Sequence, residues 1–262
     1  MKTKTSWIFV AALGMGLFSG LSSCEKSASA LNDQNQSGFF QVTGEGFTAI
    51  EAEGISGYFV TASDSLTESE INGLMLMREE EKMARDVYDQ LSDLYDLPIF
   101  GNIANSETTH FEAVGKLLDY FAIEDPASEQ AGSFNNPELQ ALYDSLVTKG
   151  SVSLTSGLQV GAMVEEIDIL DLESLISRTN NEDIVMVYTN LLRASRNHLR
   201  AFNRQLERNG VDYAPVYLDR ESFEAIVTSE MERGGYGGCY GQANSYGKRH
   251  GQGQGNGYRW GK

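Results

Sequence analysis

Four stretches of this chain carry apolar residues at alternating steps of three and four, and each stripe is broken near its middle by ionisable side chains. Steps of three and four fall on one face of an α-helix, so each stripe predicts a long helix that turns this face inward. The first seam reads Leu74, Met77, Glu81, Ala84, Tyr88 and Leu91, and the second Ile103, Glu107, His110, Val114, Leu117 and Phe121. The third reads Leu154, Leu158, Gly161, Glu165, Asp168, Leu172 and Leu175, and the fourth Ile184, Tyr188, Leu191, Ser195, His198 and Phe202. The simplest fold that buries all four is an all-α four-helix bundle.

The interruptions point to chemistry. A carboxylate on an apolar face is costly unless it is paired or bound to a metal. Glu81, Glu107, Glu165 and Asp168, with His110 and His198, stand at matching depth on four helices, which calls for a common partner. Carboxylate oxygen mixed with imidazole nitrogen suits iron, manganese or zinc and argues against calcium. The spacing Glu107-x-x-His110 sets two ligands one turn apart on one face. Of the chain's three histidines, the two outside the carboxy-terminal tail both fall on a seam. Glu79, Glu80 and Glu166 flank the seams and read as supporting or surface residues. Tyr88 and Tyr188 read as bundle core, with hydrogen bonding to the ligands as the alternative.

Local signals place the helix ends. Thr67-Glu-Ser-Glu70 is a capping box, and the helix it opens should run to about Asp96, before Leu97-Pro98. A second helix is expected over roughly 102–123. Asn136-Pro137 opens a short one that closes near Gly150. The third long helix spans about 153–177, and the fourth runs from Asn180 or Asn181 to Asn209-Gly210. A last short helix is expected within 219–232. Residues 38–62 hold five glycines among Phe, Val, Ile and Tyr and read as a short extended segment or hairpin.

All 37 acidic residues lie between residues 25 and 232, against 13 of the 20 basic ones. So acidic a body repels nucleic-acid phosphates. At the amino end, Lys2 and Lys4 precede an apolar run from Trp7 to Phe18 and then Leu21-Ser22-Ser23-Cys24. This is the layout of an export signal over residues 1–23, and the run is too short to span a bilayer. Leu-Ser-Ser-Cys resembles the bacterial lipobox, which implies a lipid on Cys24 and a membrane-anchored lipoprotein of the cell envelope. Residues 24–64 then form a tether and the extended segment, 65–232 the helical domain, and 233–262 a basic Gly/Tyr-rich tail expected to be disordered.

The seam residues resemble the ferritin-like superfamily, whose di-iron members take one Glu from each of two helices and Glu-x-x-His from each of the other two. Glu81-Lys-Met-Ala-Arg-Asp-Val-Tyr88 is similar to the first ligand helix of rubrerythrins, and the stretch from Ile99-Phe100 to His110 to their second. Val164-Glu165-Glu166 is similar to the third ligand helix of di-iron hydroxylases. The run from about 70 to 230 resembles more closely the family called domain of unknown function 2202, through REEEKMARDVY, PIFGNIANSETTH, VEEIDILDLE and SRNHLRAF. The resemblance implies a fold and a di-metal site, most simply di-iron, rather than one reaction.

One position departs from that pattern. Ser195 stands where a di-iron protein carries Glu, three residues before His198, and Asp168 is expected to supply the missing carboxylate. With only Cys24 and Cys239 the chain has no rubredoxin-like cysteine set, so a redox enzyme of this kind needs an external electron donor. Three readings stay open. The first is an oxidoreductase acting on oxygen, peroxide or ferrous iron. The second is a metal-sequestering protein without turnover. The third is a metal-free interaction module whose seam carboxylates pair with Lys82, Arg85 or Arg196. A homodimer is compatible with each.

Overall fold

In the computed structural model, which describes residues 40–43, 46–60 and 66–233, the first long helix begins at a reciprocal capping box. The Thr67 hydroxyl accepts from the Glu70 amide, and the Glu70 carboxylate accepts from the Thr67 amide at 2.8 Å. In chain order the elements are β1 (Phe40–Val42), β2 (Thr48–Ile50), α1 (Ala52–Ser56), α2 (Glu68–Leu94), α3 (Pro98–Tyr120), α4 (Pro137–Gly150), α5 (Leu154–Ile176), α6 (Glu182–Arg208) and α7 (Arg220–Val227). Asn136, Ser153, Asn181 and Asp219 each cap the helix that follows by accepting a free first-turn amide. The protein is an all-α bundle with short accessory helices, as the seams predict.

Two expectations need correction. Helix α3 begins at Pro98, about four residues before the expected start, because the proline that ends α2 also takes the first-turn position of α3. It also ends at Tyr120, short of the expected 123, so Phe121 lies past the last turn as the cap, half-buried rather than on the inner seam. The extended segment is an antiparallel hairpin pairing Phe40 with Ile50 and Val42 with Thr48, followed by the one-turn helix α1, which the sequence did not announce.

A connection of three residues joins α2 to α3, and a short one joins α5 to α6, so the bundle is two helical hairpins. The two hairpins face each other through α3 against α6 and α2 against α5, while α4, carried on the long crossover, packs on α2 and α5. Gly161 lets α5 and α6 approach, since a Cβ there would stand 2.3 Å from the Phe202 ring. Phe202 in turn packs on Tyr88 and Phe100 with ring centroids 5.4 and 6.0 Å apart. These aromatics form a dry layer beside the ionisable one.

No described helix is long and apolar enough to cross a membrane. The expected export signal, Cys24, the tether before residue 40 and the Gly/Tyr-rich tail after residue 233 lie outside the described residues.

Candidate metal centre

The four long helices bring the predicted ligands together in the middle of the bundle. Glu81 comes from α2, Glu107 and His110 from α3, Glu165 and Asp168 from α5, and His198 from α6. All six are 0–4% exposed. Ligand atoms of Glu81, Glu107 and His110 converge within 4.8 Å of one another, and so do those of Glu107, Glu165 and His198. The two groups share Glu107.

Each histidine turns its Nδ1 inward. His110 Nδ1 lies 2.7 Å from Glu107 Oε2 and 3.6 Å from Glu81 Oε2. His198 Nδ1 lies 3.0 Å from Glu107 Oε1 and 3.4 Å from Glu165 Oε1. Ligands of one ion at bonds of about 2.1 Å stand about 3.0–3.4 Å apart. That range holds both His198 contacts, while His110 Nδ1 sits closer to Glu107, at hydrogen-bond distance, and slightly farther from Glu81. The imidazoles lie nearly parallel, tilted by 20°, with centroids 5.6 Å apart.

Hydrogen bonding leaves this layer incomplete. Glu107 Oε1, Glu165 Oε2, Asp168 Oδ1 and His198 Nδ1 are buried without a hydrogen-bond partner, although His198 Nδ1 and Glu107 Oε1 are close. At 3.0 Å the two atoms are close enough to share a proton or an ion. Native interiors rarely tolerate several such orphans in one place. The donor set therefore fits a transition metal: oxygen and nitrogen atoms, inward-facing, in two groups sharing a carboxylate.

Electrostatics point the same way. Burial would raise Glu107, but the flanking His110 and His198 outweigh it and hold the carboxyl below its ordinary range. Burial opposes charge on both histidines, yet Glu107 lifts His110 to about 9, and Glu165 with Glu107 lifts His198 to about 10. Burial raises Glu81 to about 7, and it raises Glu165 as well. Asp168 is pushed well above the usual carboxylate range by burial and then by Glu165 and Glu81. Without a cation, protons hold this layer together.

Around the ligands, Tyr88 donates to Glu165 Oε1 at 2.5 Å, so it is a hydrogen-bond donor as well as core. Tyr188 is core, with its hydroxyl left unpartnered. Ser195 donates to the backbone oxygen of Leu191 and faces away from ligand duty. Asp168 borders the layer but belongs to neither three-residue group; the carboxylate common to both is Glu107. Glu79, Glu80 and Glu166 are all buried, none at the surface. Glu79 accepts from the amides of Asn135 and Asn136, Glu80 lies against Asp171, and Glu166 holds the 213–218 loop. Lys82 and Arg85 are both engaged by Asp86, and Arg196 by Glu232.

One participant had no signal in the seams. Thr48, on β2, is fully buried, with its hydroxyl 3.1 Å from His110 Nε2 and 2.9 Å from His198 Nε2. Only a polar residue inside the apolar run Phe47-Thr48-Ala49-Ile50 hinted at it.

Comparison with known proteins places this architecture. Residues 70–230 match the family described as Uncharacterized protein domain (DUF2202). The Uncharacterized protein MJ0754 of Methanocaldococcus jannaschii is 49% identical over 170 residues, covering 64% of this chain and 92% of that protein. The crystal structure of hypothetical protein MJ0754 from Methanococcus jannaschii DSM 2661 is similar with a TM-score of 0.64 and 47% identity, over 66% of this chain and 99% of that one. The matched span runs from the first turn of α2 to just past α7 and holds all six predicted ligands, so this chain belongs to the DUF2202 family.

Proposed function

We propose that the protein is a ferritin-like metal protein whose bundle holds two transition-metal ions, iron foremost and manganese or zinc as substitutes. Glu81, Glu107 and His110 would hold one, and Glu107, Glu165 and His198 the other, with Asp168 as a further carboxylate beside them. The observation that carries this reading is the cluster of orphaned inward atoms on Glu107, Glu165, Asp168 and His198. A di-iron pair supplies one-electron steps at two neighbouring ions, suited to reducing oxygen or peroxide or oxidising ferrous iron.

The chain's own residues set the terms of that chemistry. Glu107 offers one oxygen to each group and so couples them. Tyr88 fixes the Glu165 carboxylate through its hydroxyl. The aromatic layer of Tyr88, Phe100 and Phe202 excludes water on one side. Ligands so enclosed favour substrates no larger than oxygen, peroxide or a bare ion. Electrons would come from an external donor, and the export signal with Cys24 would tether the protein to an envelope membrane. Engagement of Lys82, Arg85 and Arg196 with Asp86 and Glu232 weighs against the metal-free module.

The test is metal analysis of the purified chain, followed by addition of ferrous iron and air and then of peroxide. Two irons per chain with peroxide consumption are expected. Bound metal without turnover supports sequestration instead, and an intact helical fold that takes up no metal defeats the proposal.

A further inference from the structure

The amino-terminal hairpin lies outside the 70–230 span of the family match, yet its second strand is built into the ligand layer. Strand β2 packs on α3 and α6, the two helices that carry the histidines. Its backbone is held by hydroxyls of α3. The Thr48 amide donates to Ser106 Oγ at 2.9 Å, and the Ile50 amide to Thr109 Oγ1 at 3.1 Å. Both hydroxyls are themselves oriented, donating to the carbonyls of Asn102 and Ser106. At the turn, Gly46 has φ +91° and a Cβ there would stand 3.1 Å from Ala201 Cβ, so the hairpin presses close on α6.

We infer that Thr48 is a positioning residue for the metal centre, accepting hydrogen bonds from Nε2–H of both His110 and His198 and thereby presenting both Nδ1 atoms to the ligand layer. The inference rests on the metal-centre reading for its consequence, but its geometry stands independently. A threonine hydroxyl has two acceptor lone pairs, which match two N–H donors at 3.1 and 2.9 Å. An imidazole that binds metal through Nδ1 must keep its proton on Nε2, and the group that receives that proton fixes the ring's orientation and tautomer. In most such arrangements each histidine has its own outer partner; here one hydroxyl serves two. The hairpin is thus part of the centre, and the ring of residues that completes it spans residues 48 to 198.

The test uses the full chain, Thr48→Val, which keeps the shape and removes the hydroxyl, and Thr48→Ser, which keeps the hydroxyl. With three histidines in the chain, H250A removes one set of ¹⁵N ring signals and leaves those of His110 and His198. Metal-free wild type and T48S should show exchange-protected Nε2–H on both His110 and His198, and T48V should lose that protection. Cobalt(II) affinity, read from its visible absorption, should fall about 10–100-fold in T48V and recover in T48S. Wild-type affinity with retained Nε2–H protection in T48V overturns the inference, as does a wild-type ring protonated on Nδ1 alone. If T48V fails to fold, the wild-type ring spectrum still decides. A chain that binds no cobalt but shows the expected ring pattern keeps the Thr48 assignment and defeats the metal reading.

Discussion

Glu165 and Glu166 are consecutive residues of α5, identical in chemistry and both fully buried, yet they face two different kinds of environment. Glu166 points away from the bundle axis into the 213–218 loop. There it accepts from the Tyr213 hydroxyl at 2.6 Å and from the amides of Val216, Tyr217 and Leu218 at 2.9, 2.6 and 2.8 Å. Glu165 points into the seam, takes one hydrogen bond from Tyr88, and leaves Oε2 with none. The first is a structural carboxylate whose acceptor capacity is filled by the protein. The second has capacity left over. Burial alone does not distinguish a ligand from a strut; an unfilled lone pair that converges with other ligand atoms does, since Glu80 Oε2 is also unpartnered but belongs to neither group.

The comparison breaks most decisively at Glu107, which both groups need. Glu107→Ala should take metal content from two ions per chain to almost none, measured by elemental analysis, while Glu165→Ala should retain the Glu81–Glu107–His110 group. Retention of both ions in Glu107→Ala would mean that the shared carboxylate is not a ligand.

Stability sharpens the same contrast. Glu166→Ala leaves three amides, that of Leu218 buried, and the buried Tyr213 phenol without their acceptor and should cost about 3–5 kcal/mol in denaturant unfolding. Glu165→Ala in the metal-free protein should cost less than Glu166→Ala, because it removes a carboxylate that burial already disfavours and leaves Glu107 to face His198. Equal losses for the two variants would erase the distinction between them.

The last test is the pH dependence of the metal-free protein. In the fold, Glu81 titrates near 7 instead of 4.5, His110 near 9 and His198 near 10 instead of 6.5. The folded state therefore binds more protons than the unfolded one across this range, so unfolding free energy should fall as pH rises from about 5 to about 9. The stability that the histidines add is complete below their unfolded value and is lost as pH passes through 9 and 10. Glu107, shifted the other way, matters only at the acid end, where its contribution is lost as pH falls below 4.5. Bound metal replaces these protons, so the loaded protein should gain stability over the same interval. Chemical unfolding at pH 5, 7 and 9, with and without chelator, reads both slopes.

The long helices and most of their ends, those of α3 excepted, were legible because their signals are local. A capping box, Asn-Pro at 136–137 and Asn-Gly at 209–210 act within a turn. The placement of the seam glutamates and histidines was legible too, since a three-four pattern fixes a face. What the pattern could not show is what fills a carboxylate from outside its own helix. Nothing in the α5 pattern says that loop 213–218 would satisfy Glu166, or that amides at 135 and 136 would satisfy Glu79. Nor does a helix seam reveal a threonine on a strand 62 residues before His110 and 150 before His198.

Those two separations also bear on how the centre comes into being. A chain made from its amino end has Thr48 first, the Glu107-x-x-His110 pair next, and His198 only with the last long helix. The hairpin has no seat until α6 stands beside α3, since β2 packs on both. Until α6 is made the chain holds five of the six predicted ligands, and the Glu107–Glu165–His198 group stays incomplete. On the proposed reading, the second ion can be held only once the bundle closes, when His198 and the seated hydroxyl that aligns both imidazoles arrive together.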